Sequence, residues 1–202
     1  MLKLYHSPQS RSTRPRWLLE EIGAPFEVVK LDLSKQEHKT PQYMKIHPHG
    51  AVPALLDGDL VLIESAAICA YLADKFPAAH LAPAVGTPER GRYYQWMFYA
   101  MATLEPPILQ VFMNTVRLPE AERSAQIAEQ GRRAFADVAA VLSNALASKP
   151  FLLGEQFSAA DVMIGSTLAW AQFMGLLEGH PTLIEYVQRL SSRPAFQRAW
   201  SS

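Results

Sequence analysis

The 202 residues are 49% hydrophobic and 19% charged, an ordinary globular balance, and nineteen Lys and Arg offset nineteen Asp and Glu to leave no net charge. That neutrality excludes a basic footprint for nucleic acid and a basic amphipathic segment for a membrane surface. The length accommodates one large domain or two small ones, and the single cysteine, Cys69, excludes an intramolecular disulfide.

"LKLYH" (2–6) alternates as a strand and follows Met1 with no charged and then apolar leader. Apolar runs stop well short of the roughly 20 residues of a membrane span, so a reducing cytoplasm is the expected setting. "SRSTRPRWLLEEIG" (10–23) reads as a helix with serines at its entry, Pro15 tolerated near the first turn, Trp17, Leu18 and Ile22 facing inward, and Gly23 at its exit. "FEVVKL" (26–31) is a second strand, and the polar "DLSKQEHKTPQYMKI" after it has weak helical character in its second half. In "HPHGAVPALLDGDLVLI" two apolar runs are joined by Asp57-Gly58, a hairpin signal. Pro53 interrupts the first run; lacking an N–H, it argues against a central strand there. "ESAAICAYLADKFP" (64–77) reads as a helix stopped by Pro77. The order β-α-β-α-β-β-α, with a right-handed crossover and a closing hairpin, predicts a four-stranded mixed sheet packed with helices over residues 1–77.

"AAHLAPAVGTP" (78–88) is almost uncharged and proline-rich, the best linker in the chain. Residues 89–202 then read as an all-helical domain. One run covers 89–116, interrupted or kinked near Pro106-Pro107. Another, 120–147, places Ile127, Gly131, Phe135, Val138, Leu142 and Leu146 on one face. "FSAADVMIGSTLAWAQF" opens with a capping box from Ser158 to Asp161, flanked by Phe157 and Val162 as a hydrophobic staple. Apolar on nearly every side, it is expected at the buried centre. "PTLIEYVQRL" and "PAFQRAW" supply two short helices.

Three places carry chemistry. Ser65 opens a helix, whose positive end with its unpaired N–H groups suits a carboxylate, and Glu64 beside it suits an ammonium; together they fit an α-amino acid head group. The plainer alternative is an N-cap and a dipole-complementing acid. At Pro53, a cis bond would turn the N–H and C=O of Val52 outward to pair an extended peptide as an added strand, whereas a trans bond would mark an ordinary edge strand. "YHSPQSRSTR" (5–14) is the loop at the carboxyl end of the first strand, where open α/β sheets bind ligands. It offers the hydroxyls of Ser10 and Ser12 and the cation of Arg11, and at least one serine is expected to cap the following helix. His47 and His49, with no cysteine near, read as turn residues, and no metal is expected.

These stretches, "KLYHSPQSRSTR", "EHK", "VPAL", "DG" and "ESAAI", resemble the N-terminal domain of cytosolic glutathione S-transferases, the bacterial theta-, phi- and beta-like members in particular. "FSAADV" resembles the capping-box motif of that family's helical domain. The resemblance implies a thioredoxin-like α/β domain followed by an all-α domain, in a detoxifying cytoplasmic homodimer paired through the first long helices after the linker. The implied activity is glutathione transfer, with the thiol held as thiolate for attack on small apolar electrophiles. A glutathione-dependent isomerase, dehalogenase or peroxidase, or a non-catalytic binding protein, are the alternatives. Glutathione is co-substrate, and no separate cofactor is implied. Carried over residue by residue, Val52 would pair with the cysteinyl unit beside a cis Pro53. Glu64 and Ser65 would hold the γ-glutamyl head, and His38 and Lys39 the glycine carboxylate. Ser10 would donate to the sulfur, with Ser12 its rival. Arg11 stands where beta-class members carry a cysteine and would favour the thiolate if turned inward. Ala51 replaces a long polar residue often found before the valine. Glu105 and Trp170 would line the second-substrate pocket.

Overall fold

The structure, a computed structural model, describes residues 1–201. It divides into two compact units, one built from Met1–Ala82 with the stretch from Ser191 onward, the other from Pro83–Leu190. In the first, β1 (Leu2–His6) alternates buried and half-buried residues and pairs in parallel with β2 (Phe26–Lys30), Leu2 opposite Phe26. They are connected by α1 (Thr13–Ile22), which closes on Gly23 in the left-handed conformation with its N–H on the Leu19 carbonyl. Trp17 and Leu18 are fully buried as expected; the third inward residue is Leu19, and Ile22 is only half-buried.

β1 also pairs antiparallel with β3 (Ala54–Asp57), and β3 with β4 (Leu60–Ile63), giving the order β2-β1-β3-β4. The hairpin turn is Gly58-Asp59, one residue later than the expected Asp57-Gly58. Asp57 stays in the ladder opposite Leu60, held by the Tyr71 hydroxyl and the Lys75 ammonium. Between β2 and β3 lie a 3-10 turn, Glu37–Lys39, and the single turn α2 (Pro41–Met44), capped by Thr40 accepting from the Tyr43 N–H. α3 (Ser65–Lys75) follows β4 directly. The expected order β-α-β-α-β-β-α and mixed sheet are present, a thioredoxin-like arrangement.

The second unit is helical. Its first run widens twice: α4 (Pro88–Tyr99), a π turn (Ala100–Leu104), α5 (Glu105–Phe112) and a second π turn (Met113–Arg117). The wide turn absorbs the expected break, because it leaves Pro106 and Pro107 in the first turn of α5, where a missing N–H costs least. α6 (Ala125–Leu146) begins five residues later than the expected 120, where Ser124 accepts from the Ile127 N–H. Ile127 is exposed, and Ala128 takes its place on the buried face. Gly131 permits close approach to α5, since a Cβ there would lie 2.8 Å from the Pro107 carbonyl oxygen. α7 (Ala159–Phe173) is buried on nearly every side and enters through the capping box of Ser158 and Asp161. α8 (Pro181–Ser191) buries Leu183, Tyr186, Val187 and Leu190.

The last helix, α9 (Pro194–Trp200), belongs to the first unit, although its position in the chain assigns it to the helical half. It docks on α1: Trp17 meets Phe196 edge-on at 4.9 Å, and Arg193 grips Glu21 through bonds of 2.7 and 2.8 Å.

Candidate functional site

β1 ends at His6 and α1 begins at Thr13, and the loop between them is folded by its own hydroxyls. Ser12 is fully buried. Its Oγ lies 2.8 Å from His6 Nδ1, 3.0 Å from the Ser7 N–H nitrogen, 3.1 Å from the Ser7 carbonyl oxygen and 2.7 Å from Ser10 Oγ. Those contacts consume the hydroxyl, so Ser12 makes no side-chain cap on α1, contrary to expectation. Ser10 is half-buried; its Oγ donates to the Ser7 carbonyl at 2.7 Å and accepts from the Ser12 N–H at 3.2 Å. Of the two serines, Ser10 is therefore the one a ligand can reach. Arg11 is exposed. The first amides of α1 are already engaged, that of Thr13 by the Ser10 carbonyl and that of Arg14 by the Arg11 carbonyl, so this helix end contributes its field more than free donors.

His6 backs this loop. It is fully buried, with Nε2 3.3 Å from Arg16 Nη1. Burial, reinforced by the charges of Arg16 and Lys30 and opposed by Ser12, pulls its pKa down to about 4. The imidazole is therefore neutral near pH 7.

A second cluster surrounds the start of β3. The Val52–Pro53 peptide is cis. The ladder begins at Ala54, opposite Tyr5 and Ile63, so the main chain of Val52 lies outside the sheet's pairing. The Tyr43 hydroxyl donates to the Ala51 carbonyl at 2.6 Å and steadies the approach to the turn. Gly50 brings the turn of His38 and Lys39 against this segment. It has φ of 52°, and a Cβ on it would lie 2.5 Å from the His38 carbonyl oxygen, so only glycine fits. Lys39 Nζ donates to the His49 carbonyl at 2.8 Å, and His38 Nδ1 is buried with no hydrogen-bond partner among the described residues. His47 is also buried, its pKa lowered by burial and then by His49 and Lys39, while Glu64 pulls it the other way. That attraction places the exposed Glu64 carboxylate in the electrostatic reach of the same segment.

Glu64 has φ of 73°, a left-handed backbone rare for a residue with a side chain, and Ser65 behind it is 2% exposed. Arg14, 4% exposed, donates from Nη1 to Ser65 Oγ at 3.2 Å, which fixes a cation at the start of α3. A carboxylate arriving there meets the positive end of a helix, a hydroxyl and a guanidinium together.

In the helical unit, Glu105 is buried at the first position of α5 and Trp170 is half-buried in α7, its ring 5.4 Å from that of Phe112. Phe112 closes α5 seven residues, or about 10 Å, beyond Glu105. Cys69 is fully buried in α3, with burial pushing its thiol up to about 12, so it offers no reactive thiolate.

Two contributors escape the sequence reading, His6 and Arg14, and His47 is read there as a turn residue alone. Arg14 and His6 sit in stretches read as helix and strand, and nothing local says that their polar ends converge on Ser65 and Ser12. The only available signal was their spacing from Ser10 within one loop.

Two family models match the chain, the glutathione S-transferase N-terminal domain over residues 1–74 and the glutathione S-transferase C-terminal domain over residues 125–189. Glutathione S-transferase 3 of Zea mays is 32% identical, over 98% of this chain and 92% of the maize protein. Glutathione S-transferase GstA of Escherichia coli O157:H7 is 29% identical over 100% of this chain and 98% of that protein. A sphingomonad glutathione S-transferase, solved in complex with glutathione, superposes with a TM-score of 0.86 at 31% identity, covering 98% of this chain and 96% of that one.

Proposed function

The chain belongs to the glutathione S-transferase family, and on that premise we propose a transferase that holds glutathione along the first unit and activates its thiol through Ser10. The observation that carries the assignment is the unequal state of the two serines: Ser12 is enclosed and saturated, whereas Ser10 is half-buried at the mouth of the loop. The unpaired main chain of Val52 suits the cysteinyl unit of the tripeptide, added as a short antiparallel strand. Ser65, the start of α3 and Arg14 suit the γ-glutamyl carboxylate, and Glu64 suits its ammonium. His38 Nδ1 and Lys39 suit the glycine carboxylate. Glu105 and Trp170, in the helical unit, remain the candidates for meeting the electrophile, and a homodimer is the assembly this reading expects.

The chemistry asked of the protein is modest. A free thiol has a pKa of about 8.5, and the thiolate is the nucleophile. Lowering that value by about two units corresponds to about 2.7 kcal/mol of preference for the charged form. One hydrogen bond to a charged acceptor contributes about 1.5–3 kcal/mol, so a single well-aimed hydroxyl supplies most of the effect. The α1 dipole adds a smaller share. Sulfur then attacks the electrophile as its leaving group departs.

Ser10→Ala tests the assignment. Ultraviolet titration of bound glutathione should show its thiol pKa raised by one to two units, with kcat/KM for conjugation of an aryl halide falling about 10- to 100-fold near pH 6.5. An unchanged titration would remove Ser10 from the site. Assaying the same preparation with hydroperoxides, isomerisable acids and haloalkanes separates transfer from the other thiolate reactions.

A further inference from the structure

Resting on Ser10 as the residue that meets the sulfur, we propose that His6, oriented by Arg16, is a positioning residue: through Ser12 it makes Ser10 a donor only, with its hydrogen aimed out of the loop. The hydrogen-bond count carries this. A guanidinium has no acceptor, so Arg16 Nη1 at 3.3 Å requires His6 Nε2 to be the unprotonated nitrogen. The proton of the neutral ring is then on Nδ1, which donates to Ser12 Oγ at 2.8 Å. The Ser7 N–H donates to the same oxygen at 3.0 Å. A hydroxyl oxygen has two acceptor sites, so Ser12 takes no third hydrogen; its own hydrogen goes to the nearer of its two acceptors, Ser10 Oγ at 2.7 Å rather than the Ser7 carbonyl at 3.1 Å.

Ser10 Oγ receives a second hydrogen from the Ser12 N–H at 3.2 Å. Its acceptor sites are then full too. The one hydrogen left on Ser10 points to the Ser7 carbonyl at 2.7 Å, or to a sulfur that replaces that carbonyl. Held this way, Ser10 cannot take the proton of a thiol and stabilises only the deprotonated sulfur. The run Arg16, His6, Ser12, Ser10 starts at a permanent cation, so each donor polarises the next toward the ligand. A protonated His6 would set an N–H against the guanidinium, and the burial of the ring opposes that state.

Two isosteric variants separate this role from mere packing. His6→Asn keeps an amide N–H near the Nδ1 position, and His6→Gln keeps one only near Nε2. In ultraviolet titration of bound glutathione, His6→Gln should raise the thiol pKa by about one unit, a tenfold loss of thiolate below that pKa, with kcat falling and KM for glutathione unchanged. His6→Asn should restore the wild-type titration. In a Ser10→Ala background, His6→Gln should add nothing. Equal effects of Asn and Gln, or additivity with Ser10→Ala, would overturn the proposal. So would nitrogen-15 shifts of the full chain placing the His6 proton on Nε2. If Ser10→Ala leaves the titration unchanged, the Ser10 assignment falls and takes this inference with it. If Ser10→Ala raises the pKa and His6→Gln does not, only the inference about His6 falls.

Discussion

Ser10 and Ser12 differ by two positions and by everything that matters chemically. Ser12 spends its hydroxyl on the end of β1, and that expenditure leaves Ser10 reachable with a hydrogen to give. The neutral His6 behind them has a consequence for stability. Its pKa is about 4 in the folded chain against about 6.5 when unfolded, so between those values the unfolded chain binds the proton and the folded one does not. Stability therefore falls as pH drops from 6.5 to 4, by about 3 kcal/mol at most from this one group. Arg16 on α1 and Lys30 on β2 are the charges that oppose its protonation. Denaturant unfolding across this range should show the loss, and His6→Asn, which has no ionisable ring, should shrink it. An equal slope in the variant would trace the acid sensitivity elsewhere.

At the scale of the element, α7 shows how a local signal and a distant contact combine. The capping box from Ser158 to Asp161 is legible in four residues, yet Asp161 does more than cap. Fully buried, it accepts from the N–H groups of Leu152 and Ser158 at 2.9 Å and from the Tyr186 hydroxyl on α8 at 2.8 Å. Burial raises its pKa while these donors favour its charge. The Ser158 hydroxyl donates to it as well, at 2.9 Å, so Asp161→Ala leaves four buried donors without an acceptor and should cost about 3–5 kcal/mol, seen as a fall of about 10 °C or more in the thermal midpoint. Asp161→Asn, which keeps one oxygen, should recover part of that loss. The π turns around α5 teach the opposite lesson. Pro106-Pro107 announces a disturbance, but nothing local says that the run stays helical through a widened turn, or that α6 lies so close that a Cβ on Gly131 would meet the Pro107 carbonyl oxygen at 2.8 Å.

Over the whole molecule, the chain ends where it began. α9 covers Trp17 with Phe196 and Trp200, the two outer rings stacked at 3.9 Å, and Arg193 and Arg198 meet Glu21 and Glu20 on α1. The first unit is therefore completed by residues more than a hundred positions beyond its apparent boundary at Pro77. Truncating the chain after Ser192 should lower the thermal midpoint by about 5–10 °C, because a buried tryptophan loses its cover and two carboxylates lose their guanidinium partners. An unchanged midpoint would show that α9 contributes nothing to the unit it covers. No helix among the described residues is long and apolar enough to cross a membrane.

Periodicity and turn chemistry act over a few residues, and so the element order, the mixed sheet, the capping box of α7 and the segments from which the site is built were legible in the residues alone. The family pattern in VPAL and ESAAI marked Val52, Pro53, Glu64 and Ser65 in the same way. Contacts between distant positions set the rest: which serine is reachable, that Arg14 stands at Ser65, that His6 backs the loop, and that α9 closes on α1. A hydroxyl's role follows from how many of its acceptor sites its neighbours fill, and an aromatic ring's burial from what covers it. Both depend on residues brought together from distant positions, which no local pattern encodes.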